Sequence, residues 1–234
     1  MHLFYTPDIE GGLYTLPEEE SRHCIKVLRL EQGDPLVAVD GKGNWYHCHV
    51  EHPDTKHCQI KCVEKIPNYG KRPFHLHIAI APTKNNERLE WFLEKCTEIG
   101  IDEITPLLCA HSERKVLHLE RLEKIIIAAM KQSQKAYLPV LHPLTEFKTF
   151  VQHPHYGLKC IAHCEEGDRK RLDDIYMPNQ DVTLLIGPEG DFSPTEIQLA
   201  IVHQFTPISL GESRLRTETA GIVACHSINF MNRV

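Results

Sequence analysis

LLIGPEGDFSPTEI, Leu184 to Ile197, and LGESRLRTETAGI, Leu210 to Ile222, decide how this chain is read. In each, an apolar run stops at a glycine and a helix-start signal follows within a few residues, which is how an α/β fold turns a strand end into a binding loop. Ser193 is expected as the helix N-cap with Pro194 as the first helical residue, and Thr217 or Thr219 as the cap of the second helix. Gly187 and Gly190 are read as positions where a side chain would obstruct a ligand. The plainer alternatives are an ordinary strand-to-helix turn for the first loop and a solvated cluster of Arg214, Arg216 and Glu218 for the second.

Working outward, the pattern from Phe74 onward alternates strands with helices. FHLHIAIAP, EITPLL, Leu158 to Ala162, Val182 to Ile186 and Pro207 to Leu210 read as strands. NERLEWFLEKCTEIG, with Leu89, Phe92, Leu93 and Cys96 on one face, reads as a helix, as do LERLEKIIIAAMKQSQK, Pro194 to Gln204 and a last segment from Thr217. Such alternation implies a mostly parallel sheet covered on both faces.

The front of the chain differs. PLVAVDGKGNWYHCHV reads as two strands joined at Asp40-Gly41 and His57 to Ile66 as a third, behind a helix that starts near Pro17 and ends at Gly33. PNYGKRP, Pro67 to Pro73, is the best linker, so the domains are expected at 1–70 and 73–234. On the front helix Arg22, Lys26 and Arg29 fall at helical spacing, making a basic stripe on an acidic protein or, equally, a solvated face that complements the helix dipole.

The 234 residues carry a net charge of -6, with 26 Lys+Arg against 32 Asp+Glu, so no global basic field advertises nucleic acid; any RNA contact must come from a local patch. No secretory or membrane-spanning run is seen, which points to the cytoplasm and to no membrane partner. The nine cysteines are an odd number and are expected as reduced, buried small hydrophobes. No P-loop, no GxGxxG and no serine-hydrolase spacing is present. The His47, Cys48, His49, His52, His57, Cys58 and Cys62 crowd matches no structural zinc spacing, so no metal site is assigned.

IGPEGDFSPTEI and LGESRLRTETA, together with KNNERLEWFLEKCTEIGIDEITPLLCAHSERK and HCIKVLRLEQGD, resemble the RsmE family of ribosomal RNA small subunit methyltransferases, in order and over nearly the whole chain. The resemblance implies a SPOUT-type parallel-sheet domain with a trefoil knot, preceded by a small PUA-like β-barrel that binds RNA. It implies S-adenosyl-L-methionine as cofactor, N3 of one uridine in 16S rRNA of the 30S subunit as target, RNA rather than DNA as partner, and a homodimer with active sites near its interface.

Carried over residue by residue, the cofactor loops fall on Ala162 and His163 (with Cys164), on Ile186, Gly187, Pro188, Glu189 and Gly190, and on Leu210, Gly211, Leu215, Thr219 and Ala220. Arg216 is expected to stabilise charge developing on the uracil, and Glu218 to orient that arginine or take the N3 proton. Arg22, His23, Lys26, Arg29, Lys71, Arg72, Lys135 and Arg214 are expected on RNA. Two positions depart from the family pattern: Ser213 stands where an arginine is usual, with Arg214 one place later, and the QSxR motif appears as QSQK, ending in Lys135. The rivals are a SPOUT enzyme acting on a ribose 2'-hydroxyl or a tRNA base, and a non-catalytic ribosome-binding relative.

Overall fold

The structure is a computed structural model that describes residues 2–165 and 167–233. The chain forms two compact units. One comprises Met1–Lys71 and Met130–Leu138, the other Arg72–Ala129 and Pro139–Val234.

In the first unit, β1 (Leu3–Tyr5), β2 (Leu13–Thr15), β3 (Pro35–Val39), β4 (Trp45–His52) and β5 (Gln59–Ile66) form one sheet in the order β1-β3-β4-β5-β2. β1 and β3 are parallel and the other pairs antiparallel. Among the described residues β1 and β2 do not pair with each other, so the sheet is open at the hydrogen-bond level where a closed barrel was expected. Alternation along β4 buries Cys48 and Val50 and leaves His47 and His49 half-buried on the other face. The expected helix is shorter than its sequence suggested. α1 (Glu18–Arg22) passes into a π-wound turn, His23–Val27, and Arg29 lies beyond it with φ 57°. The π winding and the left-handed residue break the 3.6-residue phase, so Arg22, Lys26 and Arg29 do not form the helical stripe expected of them.

Sequence reading did not foresee that Met130–Leu138 belongs to this unit. Met130 and Ala136 pack with Val37, Val39 and Trp45, all nearly inaccessible to solvent. Gly43, at φ +94°, has no room for a Cβ because one would lie 2.2 Å from the Tyr137 ring.

The second unit holds β6 (Leu76–Ile80), α2 (Asn86–Ile99), β7 (Glu103–Leu108), α3 (Leu119–Gln132, whose last turn lies in the first unit), β8 (Val140–Leu141), β9 (Thr145–Glu146), α4 (Phe147–Gln152), β10 (Leu158–Ala162), β11 (Lys170–Arg171), α5 (Leu172–Ile175), β12 (Val182–Ile186), α6 (Pro194–Val202), β13 (Thr206–Ser209) and α7 (Thr217–Met231). Its strands run parallel in the order β11-β13-β10-β12-β6-β7-β8, with β9 also on β7. β6 and β12 are buried along their whole length, the mark of a sheet covered on both faces. On one face Phe147, Phe150, Val151 and Ile197 of α4 and α6 meet Ala79, Leu107, Ile161 and Leu185. On the other, α7 lies on α2 and β6, and Gly221 allows the approach: a Cβ there would sit 2.5 Å from Phe92 and 3.0 Å from Ile80. The small residues of α7 therefore serve packing within the chain.

Ser193 caps α6 as expected, in a full capping box with Glu196. α7 has Arg216 at its N-cap position and no side-chain cap. Seven of the nine cysteines are buried, Cys62 is intermediate and Cys164 exposed, and all are free thiols. Among the described residues no helix is long and apolar enough to cross a membrane.

Candidate active site

The parallel sheet brings the C-terminal ends of β10, β12 and β13 side by side, so the loops that leave them converge. Two side chains tie these loops together. Asp191, left-handed at φ 64°, accepts a hydrogen bond from the Cys164 amide at 2.7 Å and one from the Phe192 amide at 2.8 Å. Thr217, instead of capping its helix, donates its hydroxyl to the Gly187 carbonyl at 3.0 Å. Glu189 reaches away to accept from the Lys84 amide at 3.1 Å, fastening the loop before α2.

The loops enclose a cavity of ≈ 260 Å³, close to the lower end of small-molecule sites at roughly 300 Å³. Ala162, Ile186, Gly187, Pro188, Leu215 and Ala220 line it, with Glu189 and Asp191 beside them. Arg214 and Arg216, both exposed, stand on its rim. The small and aliphatic part of the lining brings backbone groups within reach of a ligand, and Glu189, Asp191, Arg214 and Arg216 add charged side chains at its edge, a mix that suits a flat heteroaromatic ring with polar edges.

Not every expected residue is there. Leu210 and Gly211 line a different cavity, of ≈ 330 Å³, with Arg171, His226 and Phe230. Gly190 is outside as well: a Cβ on it would meet His111 at 3.2 Å, and one on Gly187 would meet Phe192 at 3.1 Å. A side chain at either glycine would press on a neighbouring side chain of the protein, and of the two only Gly187 lines the cavity. Thr219 is half-buried in the first turn of α7 and does not line the cavity. His163 does not line the cavity; it is 9% exposed, with neither ring nitrogen hydrogen-bonded, and burial holds its pKa below the usual histidine value.

Glu218 is 5% exposed and turned from the cavity toward α2, where Oε1 lies 3.7 Å from Arg88 Nε and Oε2 has no partner. It is not among the residues that line the cavity beside Arg216. The lined cavity, with backbone at three strand ends converging on it, fits a bound small molecule.

The expected RNA residues separate too. Arg22, Lys26, Arg29 and Lys71 are exposed, and His23 is half-buried with its ring edge-on to Phe4. Lys135 is half-buried, its amide bonded to the Met130 carbonyl. Arg72 is withdrawn from that set: its guanidinium donates to the Gly100 carbonyl, Asn229 Oδ1 and Asp102 and lies 4.8 Å from the Phe74 ring centroid. Asp191, the latch between two loops, was missed; its only signal was an aspartate, tolerant of the left-handed region, directly after a glycine.

Strand-end loops converge around one cavity on a parallel sheet, with arginines at its rim, and the family model for the RNA methyltransferase domain matches residues 70–229, which makes the class that of an RNA-modifying transferase. The model for the RNA methyltransferase PUA domain matches residues 16–62. A ribosomal RNA small subunit methyltransferase E of Synechocystis is 33% identical over 92% of this chain and 72% of its own length. A crystal structure described as a "probable rRNA-methyltransferase" of Porphyromonas gingivalis superposes with TM-score 0.94 at 44% identity, covering 100% of this chain and 99% of the other. A ribosomal RNA small subunit methyltransferase E of Neisseria gonorrhoeae, solved bound to S-adenosyl methionine, gives TM-score 0.87 at 25% identity, covering 98% and 97%. The chain is an RNA methyltransferase. It belongs to the ribosomal RNA small subunit methyltransferase E family.

Proposed function

We propose that this chain methylates N3 of one uridine in 16S rRNA of the small ribosomal subunit, using S-adenosyl-L-methionine. The observation that carries the reading is the cavity closed by the Asp191 to Cys164 and Thr217 to Gly187 hydrogen bonds with Arg214 and Arg216 at its mouth. S-adenosyl-L-methionine supplies an electrophilic methyl group on sulfur. Ala162, Ile186, Gly187, Leu215 and Ala220 hold the adenosine part through backbone groups and apolar contact.

The base must be unpaired or extruded, because N3 otherwise lies in a pair. Arg216, with Arg214 beside it, donates to the uracil carbonyl oxygens and stabilises the negative charge that appears as the N3 proton leaves. Glu218 acts through Arg88 and the first turn of α7 as a positioning residue, and the proton passes to water at the mouth. Arg22, His23, Lys26, Arg29, Lys71 and Lys135 supply RNA contacts from the PUA-like unit, Met1–Lys71 with Met130–Leu138, while Arg72–Ala129 and Pro139–Val234 carry catalysis.

The same reading includes a trefoil knot, a homodimer and a cytoplasmic location. The knot is supported by β10 lying between the later strands β12 and β13, with α7 then returning to β6 and β12. The dimer is supported by Phe230, 72% exposed near the end of α7. The test is nucleoside mass spectrometry of 16S rRNA after incubating 30S subunits lacking the modification with the protein and isotope-labelled cofactor. Labelled N3-methyluridine is expected, lost with Arg216→Ala; label on a ribose 2'-oxygen, or none, overturns the assignment.

A further inference from the structure

Histidines gather at the other end of the same sheet. His75 and His77 stand at the start of β6, Glu103 at the start of β7, and His142 just after β8, around a cavity of ≈ 630 Å³. These are the N-terminal ends of the parallel strands, opposite the loops that hold the cofactor. Nothing in the methylation chemistry uses them.

Among the described residues His77, Glu103 and His142 each offer one ligand atom, and the three atoms lie within 4.8 Å of one another. The ring of His77 is 9% exposed, and its Nε2 lies 2.8 Å from Thr105 Oγ1. With that nitrogen donating to the threonine, Nδ1 turns its lone pair toward the carboxylate, 3.8 Å from Glu103 Oε2. His142 Nε2 is 2.6 Å from the same oxygen, and His75 Nε2 is 3.1 Å from Glu103 Oε1.

We propose that His77 Nδ1, His142 Nε2 and Glu103 Oε2 form a zinc site, with the fourth position open to water from the cavity. Bonds of about 2.0 Å in a tetrahedral set place neighbouring ligand atoms about 3.3 Å apart. The 2.6 and 3.8 Å separations lie on either side of that value and all three ligand atoms fall within 4.8 Å of one another, so rotation of the two rings toward a common centre admits the ion. The proton now shared between His142 and Glu103 leaves to solvent as the ion takes its place. Thr105 on His77 and His75 on the second carboxylate oxygen are the outer partners that orient such ligands. Two histidines and a carboxylate are a borderline donor set that suits zinc and its spectroscopic substitute cobalt(II) over calcium or magnesium. At this position the ion clips β6, β7 and the segment after β8 together and does no methyl-transfer chemistry.

The experiment uses full-length, untagged protein stripped with chelator and titrated with cobalt(II). One equivalent per chain should produce the visible bands of a four-coordinate nitrogen and oxygen site, with no thiolate charge-transfer band in the near ultraviolet, and zinc should abolish them. Glu103→Gln and His142→Ala should each weaken cobalt binding about 10–100-fold, while Cys164→Ser leaves it unchanged. In melting experiments zinc should raise the midpoint of the native chain and not that of Glu103→Gln, a variant that keeps an acceptor for His142 and keeps its methylation rate. Failure to take up cobalt, a thiolate band, or bands that survive both ligand variants overturns the site.

Discussion

Arg72→Ala separates two roles for one residue. Its place in PNYGKRP suggests an RNA contact, whereas its guanidinium donates at 2.7 Å to the Gly100 carbonyl and at 2.9 Å to Asn229 Oδ1 and pairs with Asp102. The side chain is 13% exposed and that of Asp102 28%. Hydrogen bonds to a charged group contribute ~1.5–3 kcal/mol each but are not additive on one guanidinium, and breaking a fully buried pair costs ~3–5 kcal/mol. Asp102 keeps some solvent and the Leu76 amide at 2.7 Å, which brings the expected loss to about 3 kcal/mol. At ~2–4 °C per kcal/mol for a chain of this size, the alanine variant should melt about 6–12 °C below the native chain by scanning calorimetry. Its affinity for 30S subunits, measured below that melting point, should keep the native slope against log salt. A melting point within about 2 °C of native, combined with a slope shallower by about one, would place Arg72 on a phosphate and refute the structural role.

Asp191→Ala removes the latch on the Cys164 amide and leaves alanine in a left-handed conformation, so cofactor affinity by calorimetry should fall about 10-fold or more. Gly221→Ala sets a helix-propensity gain of ~1 kcal/mol against overpacking of ~1–3 kcal/mol where the new Cβ would lie 2.5 Å from Phe92. Urea unfolding should show a net loss of about 1 kcal/mol, and a gain would mean that the Phe92 ring moves aside freely. Burial lowers the pKa of His163; the unfolded chain then binds the extra proton first, so stability is complete above about pH 6.5 and falls as pH drops from there toward the depressed folded value. Urea midpoints at neutral and mildly acid pH should show that slope, and His163→Gln should reduce it.

The strand and helix alternation of the second unit was legible because β6 and β12 are mostly apolar runs, each interrupted by a single polar residue, and α2 carries a clean apolar face ended by Gly100. The cavity was half legible: IGPEGDF and LRTETA mark its lining, yet Leu210 and Gly211 face another pocket, since a strand end has two sides and a motif does not say which is used. The π turn at His23–Val27 was illegible because its sequence has the period of an ordinary helix, and winding differs there by one residue in a turn. His77, Glu103 and His142 were illegible for another reason. They are far apart in sequence, and only parallel pairing of β6, β7 and β8 brings them together.

The passage of Met130–Leu138 into the first unit bears on synthesis as well as on structure. Trp45, Val37 and Val39 wait for Met130 and Ala136 to cover them, so on the ribosome the first unit cannot finish folding when residue 71 emerges. At ~5–20 residues per second the missing segment follows about 3–13 s later, after most of α3 has been made. Over that interval an indole and two valines of a nearly finished sheet stay open to water and to chaperones. Cutting the gene at the PNYGKRP linker would make the exposure permanent, so a fragment ending there should need residues 130–138 supplied in trans to become soluble.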